Sequence, residues 1–174
     1  HPNVATTLNQ YALFLKDAGE VQEARTQYAR ALAIETKALA SGAKDVAVSQ
    51  ISLATTMSGI AELVQQTKQY DDLIPLYEQG VALIESSLGA QHPNLALSLR
   101  SLASFYTMRG ELNRALTLNE KALHIQEIAL PPDDSATKET LRTLAELYER
   151  TGKHQQSQEA VVRVGGTLSD EAQR

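Results

Sequence analysis

The 174-residue sequence contains no cysteine and no tryptophan, and aromatic side chains make up only 5% of it. The lack of cysteine excludes disulfide bonds and thiolate metal sites, but it leaves the redox compartment open. No apolar run approaches the roughly 20 residues that a membrane-spanning helix needs. A formal net charge of −5, spread over interspersed acidic and basic residues, gives no electrostatic basis for binding nucleic acid or an anionic membrane.

Hydrophobic residues make up 43% of the chain, which is enough to bury a continuous core. Alanine, leucine, glutamine and glutamate dominate the composition, and these residue types favour helices over a sheet sandwich or barrel. The sequence begins with His1-Pro2 and not with methionine, so we expect it to be part of a longer chain.

An internal repeat is the main feature of the sequence. The opening segment His1-Pro2-Asn3-Val4-Ala5 recurs 91 positions later as His92-Pro93-Asn94-Leu95-Ala96. Similar apolar spacings mark one copy between these two and another copy after them. We therefore predict a single domain of four repeats, which span about 1–42, 43–91, 92–133 and 134–166 and leave a tail at 167–174.

Each copy has the spacing of two helices. In the first copy, Leu8, Tyr11, Ala12 and Leu15 lie at i, i+3, i+4 and i+7, and Gly19 then predicts the end of that helix. A second apolar stripe follows, and its small residues allow two antiparallel helices to approach closely. It consists of Ala24, Tyr28, Ala31 and Leu32. One pair cannot bury its apolar stripe alone, so the pairs are expected to stack.

This pattern of apolar-Ala, Gly and Ala-x3-Tyr-x2-Ala-Leu resembles the tetratricopeptide repeat. A spacing of 42, with Leu8-Asn9-Gln10-Tyr11-Ala12-Leu13 in the first helix, more closely resembles the kinesin light chain variety. The resemblance implies an all-α fold, a right-handed α-solenoid of four helix-turn-helix repeats. It also implies a concave groove, lined by the first helices, that binds a peptide or a segment of a partner protein.

Several positions depart from the repeat. The second copy is seven residues longer, and since seven residues are about two helical turns, we predict a lengthened helix from about Asp45 to Gln66, with a kink at Gly59 as the alternative. Lys68 replaces the turn glycine, and Asn119 replaces an aromatic residue. The end of the fourth copy is irregular, so we expect it to fray or to need a following helix. Its irregular residues are Ser157, Val164 and Gly165, and Gly165-Gly166 is read as a helix stop.

Turn residues predict where helices begin. His1 and His92 precede a proline and are read as turn residues. Asp134 or Ser135 is expected to cap the first helix of the fourth copy. Pro75 is expected in the first turn of the second helix of the second copy.

The groove that the resemblance implies would use one flank of each first helix, beside the buried stripe. The predicted partner-binding residues are Asn9, Leu13, Lys16, Ser58, Glu62, Gln65, Arg100, Ser104, Thr107, Arg142 and Glu146. Asn9 offers both a donor and an acceptor to a peptide backbone. Arg100 and Arg142 can hold a carboxylate with two hydrogen bonds, which predicts a partner with an acidic residue. The alternative is an ordinary solvated helix face.

No catalytic, metal or cofactor site is predicted. The four histidines never show the i, i+4 spacing of paired ligands, and no serine or threonine lies in a nucleophile motif. Tyr28, Tyr77, Tyr106 and Tyr148 are assigned to the core. We therefore predict a protein-binding scaffold that is not an enzyme, with homo-oligomerisation left open. The alternative is a regulatory or oligomerisation module of a larger, multidomain protein.

Overall fold

The structure, a computed structural model, describes residues 2–40 and 46–171. These ranges form eight helices and no strand, which confirms the predicted all-α fold of four helix pairs. The helices are α1 (Pro2–Asp17), α2 (Val21–Ala40), α3 (Val46–Thr67), α4 (Tyr70–Leu88), α5 (Pro93–Arg109), α6 (Leu112–Ala129), α7 (Ser135–Arg150) and α8 (His154–Glu171). The chain divides into two compact units, His1–Ser87 and Leu88–Arg174.

Within each unit the helices pack in sequence order. In the first unit α1 contacts α2, and both of these helices contact α3. In the second unit α5 contacts α6, α6 contacts α7, and α7 contacts α8. Ala12, Ala24 and Ala31 are all 0% exposed, so these small residues of the first helix pair are part of the core.

The turn inside each pair uses a left-handed backbone conformation. Gly19, Gly110 and Gly152 have φ values of 83°, 86° and 76°, so the predicted glycine turns are confirmed. Lys68 takes the same role in the second pair with φ 54°, although a side chain makes this conformation unfavourable. The turn geometry is therefore kept where the glycine is missing.

Two of the predicted helix starts are confirmed. The ring Nδ1 of His92 accepts a hydrogen bond from the backbone N–H of Asn94 at 3.2 Å, and Asp134 Oδ1 accepts one from the N–H of Ala136 at 2.8 Å. The prediction that Pro75 lies in the first turn of its helix was wrong, because α4 already begins at Tyr70 and the proline lies in its second turn. His1 lies outside the described residues.

The lengthened helix of the second copy is confirmed. Helix α3 has 22 residues, compared with 16 in α1, and continues through Gly59. The glycine has a packing reason, because the Tyr28 ring of α2 occupies the space that a β-carbon at this position would need. A β-carbon at Gly80 of α4 would likewise meet the side chain of Met57.

Some expectations about burial were wrong. Tyr11 was placed on the buried stripe but is 45% exposed. Tyr28, Tyr77 and Tyr106 are buried as predicted, whereas Tyr148 is half-buried and its hydroxyl donates to Glu120 Oε1 at 2.9 Å.

The irregular positions of the later copies fit their surroundings. Asn119 is 2% exposed and donates from Nδ2 to the backbone oxygen of Ala115 at 3.0 Å, within its own helix. Ser157 is buried, and its hydroxyl donates to the backbone oxygen of Ala145 at 3.0 Å. The backbone of α8 is helical through Gly165-Gly166 to Glu171. The expected helix stop was therefore wrong, whereas fraying or the need for a following helix stays a prediction.

Candidate partner-binding surface

The predicted flank of the first unit lies on two neighbouring helices. Lys16 of α1 forms an ion pair with Glu62 of α3, and its Nζ is also 3.6 Å from Asp17. The hydrogen bond to Glu62 raises the pKa of Lys16 despite an opposing effect of burial. The ion pair links α1 to α3. Because Lys16 is only 8% exposed, it presents little of its charge to a partner.

Asn9 is a correction to the predicted site. It is 3% exposed, its Nδ2 donates to the backbone oxygen of Ser52 at 3.2 Å, and its Oδ1 accepts from the Thr56 hydroxyl at 2.9 Å. Both ends of its amide are used inside the protein, so Asn9 does not offer hydrogen bonds to a bound peptide. Its register beside the stripe was inferred correctly, but the neighbouring α3 covers it.

Asn9 belongs to a buried polar cluster that the sequence analysis missed. The cluster centres on Glu35 of α2, which is 1% exposed, and its Oε1 accepts from the hydroxyls of Ser52 at 2.7 Å and Thr56 at 2.9 Å. Its Oε2 is buried and has no hydrogen-bond partner among the described residues. Burial raises the pKa of Glu35, while hydrogen bonds from Ser52, Thr56 and Asn9 oppose this shift.

A polar residue that recurs at one position of the repeat indicates this cluster. Gln126 occupies the position equivalent to Glu35 and is 3% exposed, whereas the second copy has Ile84 there. A polar residue that recurs at an otherwise apolar position of the second helix indicates an internal hydrogen-bonding site. In the first unit this site joins α1, α2 and α3.

The flank of the second unit is built similarly. Arg100 of α5 pairs with Glu139 of α7, with its Nη2 2.8 Å from Oε2. The Arg100 side chain is 17% exposed, so its predicted role in holding a partner carboxylate is already taken by Glu139. Thr107 is half-buried and donates from Oγ1 to the backbone oxygen of Ala103 at 2.9 Å.

The structure thus brings Lys16 and Glu62 together and leaves most of the other predicted residues facing solvent. The exposed members of the predicted site are Leu13, Ser58, Glu62 and Gln65 in the first unit, and Ser104, Arg142 and Glu146 in the second. Each unit therefore presents an exposed polar flank on a pair of first helices that an ion pair holds together.

Among the residues whose side chains the structure describes, no group of three or more histidine, aspartate or glutamate side chains is placed to hold a metal ion. None of the helices in this part of the chain combines the length and apolarity needed to cross a membrane.

Comparison with known proteins decides the family. Two models of the tetratricopeptide repeat match the chain, one over residues 4–40 and the other over residues 52–128. The chain belongs to the tetratricopeptide repeat superfamily. Repeats of this superfamily generally mediate protein–protein interaction, and the fold is typically a scaffold without catalytic activity.

The type of repeat follows from a solved structure. The crystal structure of nearly identical TPR-like repeats assigned to a kinesin light chain of Podosopora anserina is 26% identical, with a TM-score of 0.70. The similarity covers 98% of this chain and 77% of that chain. The tetratricopeptide repeats described here are therefore of the kinesin light chain type.

Two relatives are named as effector proteins. The RxLR effector protein SFI4 of Phytophthora infestans is 30% identical over 108 residues, which are 62% of this chain. The secreted RxLR effector protein RXLR-C07 of Plasmopara halstedii is 32% identical over 112 residues, again 62% of this chain. The chain spans about a third of the length of each relative, because the matches cover 32% and 33% of them.

Proposed function

We propose that this chain is a scaffold that binds a segment of a partner protein along the exposed flank of its first helices. The observation that carries the proposal is the paired arrangement in each unit. Adjacent first helices are joined by Lys16–Glu62 in one unit and Arg100–Glu139 in the other, and solvent-exposed polar side chains lie beside each ion pair.

This arrangement suits peptide binding for a physical reason. The ion pairs and the buried cluster of Glu35, Ser52, Thr56 and Asn9 fix the helices before any partner arrives. A surface that is already ordered loses little conformational entropy on binding. The exposed Ser58, Gln65 and Ser104 side chains provide both donors and acceptors for a peptide backbone.

The chemistry of the partner follows from Arg142. Its side chain is exposed on α7, whereas Arg100 is already paired with Glu139. A guanidinium group can form two parallel hydrogen bonds with a carboxylate. We therefore propose that the bound segment carries an aspartate or glutamate that contacts Arg142.

The test is a selection of peptides from a random displayed library on the intact chain, followed by calorimetry with the selected peptides. We expect acidic residues to be enriched, and Arg142→Glu to weaken binding about 10- to 100-fold, because a hydrogen bond to a charged group contributes about 1.5–3 kcal/mol. Lys37→Glu is the control, since it makes the same charge change at an exposed position of a second helix. Equal losses in both variants, or no loss in either, would contradict the proposed site.

A further inference from the structure

The buried hydroxyl of Thr56 is shared between three acceptors. Its Oγ1 lies 2.9 Å from Glu35 Oε1 on α2, 2.9 Å from Asn9 Oδ1 on α1, and 3.0 Å from the backbone oxygen of Ser52 on its own helix. A hydroxyl carries one hydrogen. Thr56 can therefore donate fully to only one of these three oxygens at a time.

The orientation of the Asn9 amide follows from its other contact. One end of the amide lies 3.2 Å from the backbone oxygen of Ser52, and a carbonyl oxygen can only accept. That end is therefore the NH2 group, and the end that faces Thr56 is the carbonyl Oδ1. Because the Ser52 oxygen already accepts from Asn9, the hydrogen of Thr56 is contested between Asn9 and Glu35.

The protonation state of Glu35 decides this contest. An ionised carboxylate can only accept, and it attracts the Thr56 hydrogen because hydrogen bonds to charged groups are the stronger ones. A protonated carboxyl has a hydrogen of its own. On Oε1 that hydrogen has Thr56 Oγ1 as its acceptor, whereas Oε2 has no hydrogen-bond partner among the described residues. Protonated Glu35 therefore donates to Thr56, which is then free to donate to Asn9.

From this geometry we propose that the proton on Glu35 controls a hydrogen bond between α1 and α3, through the hydroxyl of Thr56. With the proton bound, donation runs from Glu35 to Thr56 to Asn9 and joins α2, α3 and α1 in series. When the proton leaves to solvent, Thr56 turns its hydrogen to Glu35, and Asn9 Oδ1 loses its donor. Helix α1 is then held to α3 by one hydrogen bond fewer, so the exposed flank on these two helices loosens.

The cation of the helices that pack against α2 is already paired. These helices are α1 and α3, and their charged side chains are Lys16 and Asp17 on α1 and Glu62 on α3. Lys16 forms ion pairs with both carboxylates. Burial therefore dominates and raises the pKa of Glu35 above its ordinary value of 4.5. The proton is lost as the pH rises from that value toward neutrality.

The other charged residues of α2 are paired or exposed. Arg25 pairs with Asp72 of α4 at 3.3 Å, and the exposed ones are Glu23, Arg30 and Lys37. Tyr28, two turns before Glu35 on the same helix, stays neutral in this pH range because burial raises its pKa to about 12. The titration that moves the Thr56 hydrogen therefore belongs to Glu35.

The second unit lacks this relay and is a reference within the same molecule. The residues at the positions of Glu35, Asn9 and Thr56 are Gln126, Arg100 and Thr140. Gln126 cannot ionise, and the Thr140 hydroxyl donates to the backbone oxygen of Ala136 at 2.8 Å. The hydrogen bonds at these positions therefore stay the same between pH 4.5 and neutrality.

The test is amide hydrogen exchange of the whole chain from pH 4.5 toward neutrality, with the Glu35 carboxyl followed by carbon-13 NMR. We expect the protection of α1 around Asn9 to fall about 2- to 10-fold relative to α5 as the carboxyl ionises, which is the effect of one hydrogen bond. In Glu35→Gln the side-chain amide donates to Thr56 at every pH, so the protection of α1 stays high and constant.

Thr56→Val separates the relay from the burial of Glu35. This variant keeps an ionisable carboxyl but has no hydroxyl to turn, so Glu35 still titrates while the protection of α1 no longer follows it. The inference is overturned if α1 and α5 respond equally in the wild type, if Glu35→Gln responds as the wild type does, or if Thr56→Val keeps the full response. A Glu35 carboxyl that titrates at its ordinary value would overturn it as well.

Discussion

The Tyr28 ring of α2 lies against Gly59 of α3, in the space that a β-carbon at residue 59 would occupy. Tyr28 is 1% exposed, so its ring is enclosed by the protein. This contact explains why a glycine stands in the middle of the longest helix of the described chain, where it costs about 1 kcal/mol in helix propensity.

We predict that Gly59→Ala destabilises the protein, although alanine is the better helix former. Overpacking costs about 1–3 kcal/mol and exceeds the gain of about 1 kcal/mol in helix propensity. Urea denaturation should show a lower midpoint for the variant. In a Tyr28→Leu background, where the tip of the ring is removed, the same substitution should no longer lower the midpoint.

Gly165→Ala is the matched comparison. Gly165 also lies within a helix, but apart from its chain neighbours and its own helix backbone, no described atom lies within 4 Å of where its β-carbon would be. The propensity gain of about 1 kcal/mol then acts alone, so this variant should be as stable as the wild type or more so. A loss of stability in Gly165→Ala similar to that in Gly59→Ala would contradict the packing explanation.

A second prediction concerns the turn between α3 and α4. Lys68 has φ 54°, a conformation in which glycine has no steric penalty. We expect Lys68→Gly to raise the free energy of unfolding by about 1 kcal/mol, since the left-handed conformation costs other residues roughly 1–2 kcal/mol. The converse change, Gly110→Lys, should lower stability by a similar amount. Thermal and urea denaturation measure both effects.

A third prediction is a pH dependence that originates at Glu35. Because burial raises the pKa of Glu35 above its ordinary value of 4.5, the protonated carboxyl is favoured in the folded protein. The stabilisation is fully present below this ordinary value and is lost as the pH rises through the folded pKa. The contribution of Glu35 to the free energy of unfolding should therefore decline as the pH is raised from 4.5 toward neutrality.

Glu35→Gln tests this prediction, because glutamine already occupies the equivalent position as Gln126. Urea denaturation of both proteins across that pH range should show their difference changing in favour of the variant as the pH rises. Glu85→Gln, a change at a half-buried glutamate of α4, is the control. A constant difference between wild type and Glu35→Gln would mean that Glu35 has an ordinary pKa in the folded protein.

The sequence predicted the features that follow from local periodicity. The helix pairs, the glycine turns and the lengthened α3 each depend on residues that are near in sequence, and all were confirmed. The position of Lys68 in the turn was also identified correctly, because the repeat register survives the substitution.

Features that depend on neighbouring helices were predicted less well. Tyr11 has the spacing of the buried stripe, but its side chain is 45% exposed, whereas Ile60 at the same register of α3 is 0% exposed. Asn9 and Arg100 were read as available to a partner, yet Ser52, Thr56 and Glu139 of the adjacent first helices take up their hydrogen-bonding groups. Helical periodicity gives the direction of a side chain but not the identity of what lies opposite.

The central claim, that a partner segment binds on the first helices, can be tested by site-specific photo-crosslinking. A photoreactive residue is placed at Ser104 of α5 or at Thr117 of α6, both of which are exposed, and a labelled peptide from the library selection is added. The account predicts a crosslink from position 104 that unlabelled peptide competes away, and none from position 117. A competable crosslink from position 117 alone would place the partner on the second helices and contradict the account.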